Sequence, residues 1–349
     1  MYPSADLVSS PVTVPADFAG VSSLTSPATY GVTNYITRSW DYSPTGGVNS
    51  CIAKHINPSS GVFNWASFDL LFSSNPARKI VFCLGAPADY LVSRAAIGGS
   101  YWSGSKGNMC PDDLTTWGTV VTAMANRAKN TFGRTGANGL VWQLWNEIDQ
   151  THSYADNILL LGPYTKTTAQ AITEIDPAAV ILTPSIGVSV NHKYWTQWAN
   201  ALDGGAKRAL DYCNGMSFHA YQNYNIVNPE LSGQFDSTVV VTNFLWMKTA
   251  MQAAGVANLP IYITEAGFTI QDPKQASDHA RNMVILAALG CKHYIAYDFD
   301  DWVYFGIVGI SSAWNAAANL ICGATITSLT FTPSVVTAVI NGSTYTFGS

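Results

Sequence analysis

The chain has 349 residues, of which 48% are hydrophobic and only 11% are charged, with a net charge of −5. This composition excludes an intrinsically disordered chain, because disorder needs many charged and few apolar residues. It also argues against a nucleic-acid or anionic-membrane partner, since phosphate binding depends on clustered Lys and Arg. No apolar run reaches the ~18 residues that a membrane-spanning helix needs.

Eight short, apolar and β-prone runs follow one another along the chain. Their residues are 18–21, 35–38, 79–84, 140–145, 179–182, 216–219, 260–264 and 293–297. Each run is followed by a segment that is long enough for a loop and a helix, and several of these segments show helical periodicity. The pattern predicts alternating strands and helices.

The clearest predicted helix begins at Pro111, because proline is favoured at the first helical position. The carboxylates of Asp112 and Asp113 are also favoured in the first turn, where they complement the helix dipole. Its apolar residues recur every three or four positions, which predicts one buried stripe. Further helices are predicted at residues 65–72, 163–175, 239–254 and 273–289.

Strands that are apolar on both faces and alternate with helices indicate a parallel sheet covered by helices. Eight such repeats favour a closed (β/α)8 TIM barrel over an open doubly wound sheet. A dinucleotide-binding sheet would carry GxGxxG after its first strand, and residues 20–25 do not match that motif. The sequence therefore predicts an α/β fold with a TIM barrel at residues 16–320.

The last 48 residues, 302–349, contain no charged residue and no histidine. After a short helix they have the pattern of three β-strands separated by turns. We expect residues 321–349 to form a small β segment packed on the flank of the barrel, joined by an N-terminal extension at residues 1–15. An uncharged sheet edge invites pairing, so this segment is also the candidate contact of a homo-oligomer.

Two of the predicted strands end in glutamate, which is costly to bury in a chain of such low charge. Glu147 closes the fourth run and Glu265 closes the seventh. Because TIM barrels carry their chemistry at the carboxyl ends of strands, we expect both side chains to face one cleft. Glycoside cleavage needs two such groups: one gives a proton to the leaving oxygen, and the other attacks or stabilises the anomeric carbon.

At these residues the sequence resembles the glycoside hydrolases of clan A. Residues 145–147 (Trp-Asn-Glu) are similar to the fourth-strand acid/base motif of the clan, and residues 264–265 (Thr-Glu) to its seventh-strand nucleophile. Within the clan, residues 55–69 and 85–87 look most like family 39 and its exopolysaccharide-degrading relatives. The resemblance covers roughly residues 15–320.

Three further elements agree with this resemblance. Arg38 ends the second predicted strand, where members of the clan place an arginine near the nucleophile. Residues 218–221 (Phe-His-Ala-Tyr) resemble the sixth-strand HxY segment. Residues 297–302 resemble the end of the eighth strand, which carries a tryptophan as a sugar platform.

The resemblance implies that Glu147 is the acid/base, that Glu265 is the nucleophile and that Asn146 holds the sugar 2-hydroxyl. It implies a retaining reaction, for which the two carboxyl groups lie ~5–5.5 Å apart. The implied substrate-binding residues are Arg38, Asn146, His219, Tyr221 and Trp302. Trp40 and Asp41 are added as substrate-binding candidates by position alone. The scattered histidines and the lack of CxxC predict no metal, and we expect no cofactor.

The sequence thus predicts a retaining glycoside hydrolase that is endo-acting on a microbial exopolysaccharide or surface polysaccharide. We expect it to be extracellular (secreted or virion-associated), although its first residues show no signal-peptide pattern. The expected partner is a polysaccharide or oligosaccharide, with no nucleic acid and no membrane. The alternative is a non-catalytic carbohydrate-binding barrel, such as a virion or cell-surface adhesin, which would not need both carboxylates in register.

Overall fold

The computed structural model describes most of the chain, and the statements below concern these residues. They are 6–22, 35–40, 63, 65–85, 87, 89–97, 106, 108–151, 153–187, 192–221, 237–268, 274–297 and 307–348. By its internal contacts the chain divides into two compact units. One comprises residues 38–217, and the other comprises residues 1–37 and 218–349.

Eight parallel strands form a nearly closed barrel. Strand β1 (Val12–Thr13) belongs to a second sheet. The barrel strands are β2 (Ala19–Ser22), β3 (Ile36–Trp40), β4 (Lys79–Leu84), β5 (Leu140–Leu144), β6 (Val180–Leu182), β7 (Met216–His219), β8 (Ile261–Ala266) and β9 (His293–Ala296). Their order in the sheet is β6-β5-β4-β3-β2-β9-β8-β7, and a single parallel bridge joins Leu182 to Gly215, the residue before β7. The predicted TIM barrel is confirmed.

Burial explains why these runs are apolar throughout rather than alternating. Every residue of β5 and of β8 is buried. Strands covered on both faces gain hydrophobic stabilisation from successive residues, so they appear in the sequence as continuous apolar runs. The exceptions are polar residues at or near the strand ends, and these residues form the site described below.

Seven α-helices are present in the described residues. They are α1 (Ala66–Ser73), α2 (Leu114–Phe132), α3 (Leu161–Ile175), α4 (His192–Ala199), α5 (Ser237–Ala253), α6 (Gln275–Ala288) and α7 (Ser311–Ile321). In the described part of the chain, none of them combines the length and the hydropathy of a membrane span.

Helix α2 begins later than predicted, at Leu114 instead of Pro111. Asp113 is its N-cap, because the carboxylate accepts a hydrogen bond from the Thr116 amide at 2.9 Å. Asp112 instead accepts from the amide of Ser93 at 2.7 Å, which ties a loop to the start of the helix.

The C-terminal strands form a separate antiparallel sheet. Strands β10 (Thr325–Phe331), β11 (Val335–Ile340) and β12 (Ser343–Gly348) join β1 in the order β1-β10-β11-β12. Asn341 and Gly342 have φ of 50° and 80°, the left-handed conformations that a tight hairpin turn between β11 and β12 requires. This sheet is the predicted β segment.

Helix α6 anchors this sheet. Arg281 is 1% exposed, pairs with Asp278 one turn earlier, and donates from Nη1 to the Ser334 carbonyl at 2.7 Å. Ser334 lies in the turn between β10 and β11. The buried guanidinium therefore holds the sheet to a helix of the barrel layer.

Candidate active site

The residues that follow β5 adopt a strained backbone. Trp145 and Glu147 have φ of 56° and 39°, so two non-glycine residues lie in the left-handed region on either side of Asn146. Such a conformation costs about 1–3 kcal/mol for each residue and persists only where surrounding contacts enforce it. The indole of Trp145 supplies one such contact, because it is 1% exposed and donates to the Ser153 carbonyl at 2.8 Å.

Ser185, which follows β6, supplies the second contact that enforces this backbone conformation. Its hydroxyl oxygen accepts from the amide of Glu147 at 3.1 Å and from the side-chain amide of Gln143 at 3.2 Å. Its carbonyl accepts from the amide of Ile148 at 3.0 Å. One fully buried serine therefore joins the segment that carries Glu147 to the end of the next strand.

Arg38, on β3, orients the amide of Asn146. Its Nε donates to Oε1 of Gln143 at 2.9 Å and its Nη2 to Oδ1 of Asn146 at 2.8 Å, and all three side chains are buried. Because a guanidinium can only donate, Asn146 presents its oxygen to Arg38 and keeps its Nδ2 as a donor for other partners. The nearest described acceptor is the hydroxyl of Ser153 at 3.5 Å. A donor in this position suits a hydroxyl ligand.

The carboxyl group of Glu147 lies against a glycine. A Cβ placed on Gly187 would be 2.5 Å from Oε1 and 2.7 Å from Cδ of Glu147. The amide of Gly187 in turn donates to Oδ1 of Asp149 at 2.7 Å. Glu147 is half-buried, in keeping with a group that is packed on one side.

In the other unit, Glu265 is 3% exposed and lies at an irregularity of β8. Between Ile263 and Ala266 the register with β9 shifts by one residue, which indicates a β-bulge at Thr264 and Glu265. A bulge redirects a side chain that regular alternation would point elsewhere, and bulges are frequent beside active sites.

Two side chains at the end of β7 contact the carboxylate of Glu265. The hydroxyl of Tyr221 donates to Oε2 at 3.0 Å, and Nδ1 of His219 lies 3.4 Å from the same oxygen. The amide of Ala220 donates to the Glu265 carbonyl at 2.8 Å, which fixes the ends of the two strands side by side. The arrangement holds a buried carboxylate in one orientation.

The structure thus brings together two groups of the predicted residues: Arg38 with Asn146, and His219 with Tyr221 and Glu265. Trp40 lies in β3, but its side chain, together with Asp41 and Trp302, falls outside the described residues.

Sequence reasoning missed Gln143, Asp149, Ser185 and Gly187. Gln143 was the one with a visible signal, since it is a polar residue inside a predicted apolar strand. The others act through contacts between segments, which local sequence does not reveal.

The sequence matches no protein-family model, and it has no significant match among curated proteins. The fold, in contrast, is similar to that of many solved structures. A monomeric β-xylosidase from Caulobacter crescentus CB15 has a TM-score of 0.65 and 15% identity, and the match covers 94% of this chain and 74% of that one.

A GH39 enzyme from Xanthomonas axonopodis pv. citri has a TM-score of 0.66 and 14% identity, and the match covers 95% of this chain and 72% of that one. An endo-β-1,4-mannanase from Thermotoga petrophila has a TM-score of 0.56 and 14% identity, with 94% and 83% covered. These likenesses confirm that the barrel has the fold of family 39 and of other clan A glycosidases.

Proposed function

We propose that the protein is a retaining glycoside hydrolase in which Glu265 is the nucleophile and Glu147 the acid/base. The observation that carries the proposal is the carboxylate of Glu265, buried at a bulge of the seventh barrel strand and hydrogen-bonded by Tyr221. A buried carboxylate is costly, and the fold in which it lies is shared with structures of glycosidases.

The assignment of the two glutamates to one reaction is based on their places in the strand order. Glu147 follows β5, the fourth barrel strand, and Glu265 lies at the end of β8, the seventh. All eight strands are parallel, so their carboxyl ends meet at one end of the barrel, where the active sites of this fold are found. The proposal therefore assigns both residues to one reaction.

The reaction has two steps. In the first, a carboxylate oxygen of Glu265 bonds to the anomeric carbon as the bond to the leaving oxygen breaks, and Glu147 gives its proton to that oxygen. In the second, Glu147 takes a proton from water, the water oxygen bonds to the anomeric carbon, and the ester with Glu265 breaks. Both glutamates return to their starting protonation states, and the sugar keeps its anomeric configuration.

Neighbouring side chains position these groups. Tyr221 and His219 fix the plane of the Glu265 carboxylate, because both lie on its Oε2. Nδ2 of Asn146, oriented by Arg38, is the donor that we assign to the sugar 2-hydroxyl. A hydrogen bond there strengthens as positive charge develops on the ring.

We further propose that the substrate is an uncharged polysaccharide cleaved internally outside the cell, as in a microbial exopolysaccharide. The chain is poor in charged residues, at 11%, which suits a neutral and hydroxyl-rich ligand. Structures of similar fold are named for xylosidase, glucanase-xylanase and mannanase activity, so xylan, β-glucans and mannan are the first polymers to test.

The test is a screen of purified polysaccharides for new reducing ends, with the anomer of the first product followed by NMR. We expect cleavage with retention, and none by a double variant, Glu147→Gln with Glu265→Gln. Inversion would contradict the assignment of Glu265 as nucleophile. Tight binding of a polysaccharide without cleavage would favour the carbohydrate-binding barrel instead.

A further inference from the structure

The carboxyl group of Glu147 lies where a side chain at position 187 would begin. The space that a Cβ would fill at position 187 is occupied by Glu147 itself, at 2.5 Å from Oε1, 2.7 Å from Cδ and 3.0 Å from Cγ. Cβ atoms essentially never lie that close to another heavy atom. Only glycine fits there while the glutamate keeps this position.

Hydrogen bonds prevent Gly187 from withdrawing. Its amide donates to Asp149 at 2.7 Å. Two residues earlier, the carbonyl of Ser185 accepts from Ile148 and its hydroxyl from the amide of Glu147. The two segments are therefore held together at Gly187 and just before it, so rotation of the glutamate side chain is the easiest relief of a clash.

The atoms in contact are the far end of a flexible side chain, so relief requires only rotation of Glu147. In a variant with a side chain at position 187, we expect the backbone of Glu147 to stay bonded to Ser185 while its carboxyl group rotates away. A methyl group at position 187 should therefore leave the fold intact and move the carboxyl group.

From this geometry we propose that Gly187 is a positioning residue, which sets the location of the Glu147 carboxyl group for proton transfer to the leaving oxygen. The inference rests on the proposed glycosidase function. A general acid must lie within hydrogen-bond reach of the atom that it protonates. A misplacement of about 1 Å can cost about 10²-fold in rate.

The experiment compares wild type with Gly187→Ala and with a matched control, Gly309→Ala. A Cβ at Gly309 meets no atom within 4 Å, so the control makes the same substitution without a clash. Two substrates are used: the polysaccharide that the wild type cleaves, and the 2,4-dinitrophenyl glycoside of the sugar that it releases. Dinitrophenolate leaves without a proton, so its release does not need the acid.

For Gly187→Ala we expect kcat on the polysaccharide to fall about 10²-fold at unchanged KM. The rate of the dinitrophenolate burst, which reports the first step alone, should change less than about threefold, because this step needs no acid. The melting temperature should match that of Gly309→Ala, and the control should be fully active. A crystal structure of the variant should show the Glu147 carboxyl group displaced.

Wild-type kcat on the polysaccharide in Gly187→Ala would overturn the proposal. An equal loss in the polysaccharide kcat and in the burst rate of dinitrophenolate would also overturn it, since it indicates a structural role. If the wild type cleaves neither substrate, the glycosidase function itself fails, and that outcome is visible without any variant of Gly187.

Discussion

Glu147 and Glu265 both follow apolar barrel strands, yet the chain holds them by different means. Glu147 lies on left-handed backbone fixed by Ser185, and its half-buried carboxyl group rests against Gly187. Glu265 is almost fully buried, and its carboxylate is oriented by the side chains of Tyr221 and His219. Backbone shape therefore positions the first glutamate, and side-chain contacts position the second.

This difference suits the two roles that we propose. A nucleophile needs a carboxylate held in one orientation, and the Tyr221 hydroxyl, which donates to Oε2, provides that for Glu265. An acid/base must exchange protons with the leaving group and with water, which a half-buried position allows.

Replacing the nucleophile should have the largest effect. We expect Glu265→Gln to lower kcat by about 10⁴-fold or more on every substrate, because an amide cannot form the glycosyl ester. Steady-state kinetics on a polysaccharide and on an aryl glycoside measure it, with thermal melting as the check on folding. If the variant kept more than a tenth of the wild-type activity, Glu265 would not be the nucleophile.

Glu147→Gln should be less severe and should depend on the substrate. General acid catalysis contributes about 10²–10⁴-fold, and we expect a loss of that size on polysaccharide. The first step with a dinitrophenyl glycoside should be nearly unaffected, as a burst of dinitrophenolate would show. If the two single variants behaved alike on both substrates, the distinction between the glutamates would be wrong.

Tyr221→Phe removes a hydrogen-bond donor from the carboxylate of Glu265. A hydrogen bond to a charged group is worth about 1.5–3 kcal/mol, so we expect kcat to fall by about 10- to 100-fold. The matched control is Tyr212→Phe, which removes another tyrosine–carboxylate hydrogen bond, that to Asp203, and should leave kcat unchanged. Equal kinetics for the two variants would show that Tyr221 does not orient the nucleophile.

The smallest effect concerns stability and contrasts two buried histidines. His219 faces a carboxylate, whereas His279 bonds to the Tyr294 hydroxyl at 3.0 Å, and burial lowers its pKa from 6.5 to about 3. As pH falls below 6.5, the unfolded chain binds a proton at His279 that the folded protein does not bind until about pH 3.

Protonation of His279 in the unfolded chain therefore lowers the free energy of unfolding by about 2 kcal/mol between pH 7.5 and pH 5. Denaturant unfolding at both pH values measures this loss of stability. In His279→Gln the loss between the two pH values should be smaller by about 2 kcal/mol. An unchanged loss in the variant would show that His279 does not titrate in this way.

Much of the fold could be predicted because burial leaves a direct trace in the sequence. The runs at residues 79–84 and 216–219 have the same bounds as β4 and β7, since a strand buried on both faces is mostly apolar along its length. Helix α2 was placed three residues too early, because Asp112 binds a loop and only Asp113 caps the helix.

The candidate site could be predicted only where the residue type itself indicates a chemical role. Two glutamates ending apolar strands are conspicuous, as is a buried arginine. Ser185 and Gly187 are small residues that are common in loops, and what matters about them is the distance to Glu147. The roles assigned to Trp40, Asp41 and Trp302 stay predictions.

The anchoring of the C-terminal sheet has a consequence for truncation. Arg281 is buried within α6 and relies on the Ser334 carbonyl, while Leu329 of β10 donates to the carboxylate of Asp6 at 2.8 Å. Deleting the chain from residue 325 onward would remove the Ser334 carbonyl that Arg281 binds and would uncover one side of the helix. The sheet is thus no detachable module, and a shortened chain ending at α7 should aggregate or be degraded.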